Sequence, residues 1–260
     1  MLMEYFRAFV AELLKVRRTW AFTLSVAAPL SCTLFIFLVS ARVQKGQWND
    51  VWIYYLRGVT FSWLLMMMPL YAALLQALLA STDHTSGTWK LLLAQPISRP
   101  PLYIAKVAMG TSLGALSTAV LALSSLNMGL LLRKVRPDLG NYSQGVEVAH
   151  FVKMLSFAFV AASLIVALHS WLSARTGNFA LSLGVAMFAE VANILGFQQK
   201  TFPKIWPWLY PLDAARIFGL QHRDTIQNFW SMRQLVLVSV VGAAVVTVLA
   251  IWDFNRRETM

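Results

Sequence analysis

Residues 57–83, RGVTFSWLLMMMPLYAALLQALLASTD, hold 25 uncharged residues between Arg57 and Asp83. A helix needs about 20 residues to cross about 30 Å of hydrocarbon, because each residue adds 1.5 Å and closes its own backbone hydrogen bonds. The stretch therefore reads as a transmembrane span over about 58–80. Comparable runs lie between Arg18 and Arg42, Lys106 and Arg133, Lys153 and Arg175, and Arg233 and Asp253, and one more from Arg175 to Lys200 is broken only by Glu190. Six spans are expected, at about 19–41, 58–80, 102–132, 151–173, 178–197 and 234–252, in one transmembrane domain covering 1–260. An even number places both ends of the chain on one side.

Composition agrees. Of 260 residues 58% are hydrophobic and 13% charged, and the mean hydropathy is +0.61. A soluble domain of this length needs more charge to cover its surface, so the excess apolar area must face lipid. The net charge of +11 is scattered between apolar runs and forms no continuous patch. Its natural partner is the anionic lipid headgroup, worth roughly 1 kcal/mol per Lys or Arg near the surface, and not nucleic acid. Cys32 is the single cysteine, which excludes an intrachain disulfide and a cysteine-based metal site. The first 18 residues carry charges throughout, so no cleavable signal peptide is expected.

Orientation follows from locality. Cytoplasmic termini put ten Lys and Arg inside and twelve outside, so the totals do not decide the matter. Arg17 and Arg18 abut the first span and Arg256 and Arg257 follow the last, which favours cytoplasmic termini.

Between the spans, residues 1–18 read as an amphipathic interfacial helix. Leu2, Phe6, Phe9, Leu13 and Val16 recur at steps of three and four, with Glu4, Arg7, Glu12, Lys15 and Arg18 on the other face. It is a membrane anchor, with or without contact to a cytoplasmic partner. Pro29 and Pro69 sit centrally in spans one and two, where neighbouring groups must re-satisfy the carbonyls they free. Residues 133–150 read as a solvated loop. From Gln198 to Arg233, Pro203, Pro207 and Pro211 alternate with Trp206, Trp208 and Tyr210, which predicts short, partly re-entrant helices at the outer surface, one over about Leu212 to Leu220. They form either a lid over an exit path or an interfacial cap. The fold class is thus all-α: a polytopic membrane protein of six helices, with an N-terminal interfacial helix and short re-entrant helices before the last span.

Residues 81–99, STDHTSGTWKLLLAQPISR, form a compact polar element between spans two and three. Gly87 interrupts the helix leaving span two, Thr88 caps a new one, and Trp89, Leu92 and Leu93 share a face before Pro96 ends it. About two turns of helix are unstable alone in water, so the segment needs a surface to dock on. That surface is either the membrane or a groove in a soluble subunit.

The pattern Asp83-His84-x-Ser86-Gly87-Thr88-Trp89-Lys90-x-Leu92-Leu93-x-x-Pro96-Ile97-Ser98-Arg99 resembles the first cytoplasmic loop of type-2 ATP-binding cassette (ABC) transporter permeases, and more narrowly the branch associated with self-protection against bacitracin and lantibiotics. Asp replaces the commoner Glu, and Ile97 the commoner Val, with little change in chemistry. The resemblance runs the length of the chain. It implies that the loop is a coupling helix moved by a separate ATP-hydrolysing subunit, with that role on Asp83, His84, Gly87, Thr88, Trp89, Lys90, Leu92 and Leu93. It also implies a second permease copy or a paralogue, ATP and Mg bound by the partner subunit, a bacterial inner-membrane location, and export of amphipathic or lipid-like compounds such as antimicrobial peptides or hydrophobic drugs.

The chain has no G-x-x-x-x-G-K-[ST] loop, so any ATP site belongs to another polypeptide. Histidines at 84, 150, 169 and 222 are too dispersed to suggest a metal site, and His169-Ser170 has no adjacent acid for hydrolysis. Glu190 is the one acid inside a span, and Asn193 shares its face. They line a substrate path or a subunit interface, or Glu190 is a protonated or hydrogen-bonded structural residue. A non-transporting scaffold and an intramembrane hydrolase are the competing functions.

Overall fold

The computed structural model describes residues 2–17, 19–85, 99–142, 147–199, 202–218 and 230–256, which are predominantly helical with no strand among them. Six stretches are long and apolar enough to cross a membrane: Trp20–Ser40, Val51–Ser81, Pro100–Val135, Val148–Thr176, Phe179–Gly196 and Met232–Arg256. The chain is an all-α polytopic membrane protein.

Helix α1 (Leu2–Val16) packs on α5 (Arg99–Val135), and α2 (Trp20–Ser40) packs on the same helix. The second span is composite: α3 (Val51–Phe61), a π-helical segment (Ser62–Met67) and α4 (Met68–Thr85). The fourth is α6 (Val148–Ala161) joined to α7 (Ser163–Thr176). Gly177, at φ +59, ends α7 in the left-handed region, and the Asn178 side chain caps α8 (Phe179–Gly196) by accepting the N–H groups of Ala180 and Leu181. Spans four and five thus form a hairpin. Helix α9 (Phe202–Ile205), a 3-10 turn (Pro207–Leu209) and α10 (Tyr210–Ile217) precede α11 (Met232–Arg256).

Packing between spans uses small residues. Ala72 and Ala73 of α4, Ala167, Ser170 and Ser173 of α7, and Ser182, Ala186 and Ala189 of α8 are all buried, which lets the backbones approach. Large apolar side chains point outward instead: Phe22 and Phe35 on α2, Phe188 and Leu195 on α8, Val241 and Val248 on α11. This is the distribution expected when lipid is the solvent.

Four features differ from the reading of the sequence. The second span begins at Val51, where Asp50 accepts the N–H of Ile53, so Arg57 lies inside a helix and does not bound it. Lys106 likewise sits within α5. Glu12, expected on the outward face of α1, is 5% exposed, while Phe6 is 64% exposed; the polar residue turns inward because a buried cation meets it there. Residues 133–142 are not simply solvated, since Leu139 is buried and Arg136 reaches back to the end of α2. Finally, the helix expected over about Leu212 to Leu220 spans Tyr210–Ile217; every residue from Leu209 to Arg216 is covered, whereas Ile205 of α9 is 75% exposed. Prolines end the regular helices there, but the chain folds back between α6 and α11.

Long-range contacts sort the molecule into two ends. Arg175 and Trp171 both donate to Asp253, and the Tyr103 ring lies 6.4 Å from that of Phe254. With α1 against α5, these gather the first and last helices, the α7–α8 turn and both stems of the segment 86–98 at one end, here the loop end. At the far end, Arg136 donates to the carbonyls of Ala41 and Val43, and Trp48 bridges to Gly140. Gly140 is required there, because a Cβ would collide with the Trp48 carbonyl oxygen.

Candidate functional site

The loop between spans two and three carries most of the residues that sequence singles out. Asp83 and His84 continue the backbone of α4, so the helix extends beyond the apolar run. Gly87, Thr88, Trp89, Lys90, Leu92 and Leu93 lie outside the described residues, as do the side chains of Asp83 and His84. The base of the loop is described, and it holds a buried charge cluster. Lys106 Nζ donates to Glu12 Oε1 at 3.3 Å, to Oε2 at 3.4 Å and to the Leu79 carbonyl at 3.3 Å. Lys15 also donates to Glu12, at 2.8 Å. A single ammonium group therefore ties α1 to α4 and α5, the two helices that bracket the loop. Buried ion pairs persist only with such full hydrogen bonding. Sequence reading misses this cluster, because hydrophobic periodicity assigns charges to the outside by default.

A second constellation surrounds Asn193 and Glu190. Pro69 has no N–H, so an α-helical turn would leave the carbonyl of Leu65, four residues earlier, without its donor. Asn193 Nδ2 supplies one from α8, at 3.3 Å. The π-helical segment lies at the same place, where the ladder of i to i−4 bonds is already disturbed. On its other side Asn193 accepts the indole N–H of Trp206 at 2.8 Å. One side chain thus joins span two, span five and the segment that folds back.

Aromatic rings extend the connection. Phe202 stacks on Trp206 at 5.2 Å, and Trp206 lies 4.9 Å from Trp208. Trp208 donates its indole N–H to His169 Nε2 at 3.2 Å. Beside Trp208, between α7 and α8, is a cavity of about 410 Å³ walled by Leu168, His169, Trp171, Leu172, Val185 and, at one side, the charged Arg175. Its size falls within the range of small-molecule sites, roughly 300–1,000 Å³. The carboxylate of Glu190, one helical turn before Asn193, is 7% exposed, and neither oxygen has a hydrogen-bond partner among the described residues.

The other candidates resolve differently. His169 Nε2 accepts from Trp208, and its Nδ1 has no partner among the described residues, so no acid orients the ring as a hydrolytic base. Arg216, unremarked in the sequence, is buried; it donates to Asp213 at 2.8 Å and to the carbonyl of Phe197, the residue that ends α8, at 2.7 Å. A cation on a helix C-terminus meets the negative end of its dipole.

No curated protein matches the sequence. A family model described as ABC-2 family transporter protein matches residues 8–193, which is well over half of the chain. That stretch contains most of α1, the first four spans and most of the fifth, the buried cluster at the base of the loop, and Asn193. The chain therefore belongs to the ABC-2 transporter family, as a multi-pass permease subunit of an ABC transporter.

Proposed function

We propose that this permease works with a separate ATPase chain, which binds ATP and Mg, and that segment 81–99 is the coupling element that docks on it. In this reading both termini and the segment face the cytoplasm of a bacterial cell. Two permeases, identical or paralogous, frame the pathway. The substrate is amphipathic or lipid-like, such as an antimicrobial peptide or a hydrophobic drug, and is exported; self-protection against bacitracin-like or lantibiotic compounds is the narrower version.

The observation that carries the reading is the Glu12–Lys106–Leu79 cluster. A two-turn lever transmits force only if its stems are braced. Lys106 braces α4 and α5 and adds α1 to them, so displacement of the segment moves three helices together. Span two then has a compliant point along its length, where the π-helical segment meets Pro69. ATP drives the shift because closed cassettes bind one arrangement of the segment better than the other.

The experiment is co-expression with a candidate ATPase, followed by co-purification and ATPase assay with an amphipathic substrate. Trp89→Ala combined with Leu92→Ala is expected to abolish co-purification and substrate-stimulated hydrolysis. Survival of both properties would overturn the docking assignment.

A further inference from the structure

A cation inside a membrane span is costly unless it is paired or wet, and one left without a partner marks a functional site by default. Arg57 is such a cation. It lies six residues past Val51, roughly 9 Å along α3 at 1.5 Å per residue. The residue is half-buried, and its Nε is covered without an acceptor. No described acid lies within ion-pair distance of it. Glu12, Asp138, Asp213 and Asp253 each face another cation, and Asp50 accepts the N–H of Ile53. The fold thus gives Lys106, Arg136, Arg175 and Arg216 a carboxylate each and gives Arg57 none among the described residues.

The surroundings specify the missing partner. Ile53 and Tyr54, one turn back on the same stripe of α3, are exposed, whereas Trp52, Tyr55, Leu56 and Val59 are buried. The stripe that carries Arg57 therefore faces outward, toward lipid. Trp48 stacks on Tyr54 at 5.7 Å, and one turn further in Phe61 meets Phe197 edge-on at 5.6 Å. Tyr and Trp favour the headgroup level, and a long Arg stem carries its charge to that level from within a span. Basic side chains prevail around this end: Arg42, Lys45, Arg133 and Lys134 are exposed, while the carboxylate of Asp138 is already held by Arg136. A guanidinium fork matches two oxygens of a phosphate, and the surrounding cations favour a ligand of net negative charge.

We infer that Arg57 is the headgroup site for an anionic, phosphate-headed lipid in the leaflet at the far end. The phosphate meets the guanidinium, and the chains run inward past Phe61 and Phe197. Position selects a lipid over free phosphate, because the stripe opens sideways between apolar and aromatic side chains and not into a polar pocket. The inference goes beyond the permease reading and stands without it, since binding requires neither an ATPase nor transport.

Photolabelling of the whole chain in phosphatidylcholine nanodiscs tests this. The probes are phosphatidic acid and diacylglycerol bearing the same diazirine-tagged chain at the same mole fraction, with cross-links located by peptide mass. On wild type the phosphatidic acid probe is expected to label residues 53–61 and 197–199 at least about fivefold more than diacylglycerol, because a hydrogen bond to a charged group is worth about a decade in affinity. Arg57→Gln should bring the two probes level. Arg57→Lys should keep part of the preference, since the charge remains and the fork does not. Lys45→Gln, at a side chain 82% exposed, should leave most of it. Equal labelling by both probes on wild type, or an undiminished preference in Arg57→Gln, overturns the proposal. So does an equal loss in Lys45→Gln, which would mean that diffuse surface charge gathers the lipid. Excess inorganic phosphate should not compete, and full displacement by it would overturn the lipid assignment. A wild type that shows the preference while no ATPase co-purifies keeps the site and rejects the transporter reading.

Discussion

The ion pairs at the two ends of the bundle differ in reach, although each end also holds one pair of the other kind, Lys45–Asp138 at the far end and Lys15–Glu12 at the loop end. At the far end Asp138 and Asp213 are neutralised by near neighbours in sequence, Arg136, two residues away, and Arg216, three away. The same arginines then reach helix-terminal carbonyls, Ala41 at the end of α2 and Phe197 at the end of α8. At the loop end the pairs join distant helices: Lys106 to Glu12, 94 residues apart, and Arg175 to Asp253, 78 apart. Local pairs survive a rearrangement of helices, because both partners travel together. Long-range pairs must either break or carry their helices with them. The far end is built as a cap, and the loop end as a linkage.

The largest effect is expected where the linkage is most buried. Lys106→Met removes a cation from Glu12 and a donor from Leu79, leaving Glu12 with Lys15 among the described residues. Loss of one partner of a buried pair costs about 3–5 kcal/mol, and the remaining Lys15 places this one near the lower end. Thermal unfolding in nanodiscs would register it. Glu12→Gln in the same background should recover much of the loss in stability, since the uncompensated charge is gone, but not substrate-stimulated hydrolysis by a bound ATPase. Recovery of both would mean that the cluster stabilises without transmitting.

At the far end the corresponding substitution is Arg216→Lys. The positive charge is kept, but one ammonium cannot reproduce the planar fork that meets Asp213 and Phe197 at once. One charged hydrogen bond is lost, about 1.5–3 kcal/mol. If the far end is a cap, thermal stability falls while ATP-driven cycling at a permissive temperature is unchanged. A selective loss of cycling with stability intact would make the ends equivalent and erase the distinction.

Much of this architecture is legible in the sequence, and the reasons are physical. Lipid forces long uncharged runs, so the six spans stand out. Their limits do not, because a helix continues past a charge that the fold accommodates: Arg57 and Lys106 bound uncharged runs yet lie inside helices. The polar pair Glu190 and Asn193 is visible as an exception to apolarity. That Asn193 serves the carbonyl freed by Pro69 is only half visible; the proline announces a need, and its answer comes from a helix 128 residues on. Glu12 escapes because periodicity sorts residues by polarity and is blind to a buried cation on another helix. Prolines reveal the segment that folds back before the last span, but its burial depends on α6 and α11, which local sequence does not encode.

The smallest effect distinguishes the surface part of the cap from its core. The hydrogen bond from Arg136 holds the Asp138 carboxyl below the usual carboxylate range, with Lys45 adding to it. A depressed carboxylate contributes stability above its unfolded value, near about pH 3.9, and loses it as pH falls through the folded value. Because the pair is open to solvent, screening keeps the contribution small. Hydrogen exchange of the amides in 41–51, several of which bond to the backbone at 138–141, should therefore accelerate beyond its intrinsic pH trend only below about pH 4. Asp138→Asn should show that faster exchange already at neutral pH and no further acid step, while the amides of α10, where Asp213 and Arg216 are buried together, stay protected in both proteins. Parallel loosening of α10 in Asp138→Asn would show that the far end opens as one unit, and the contrast with the loop end would then be one of strength and not of kind.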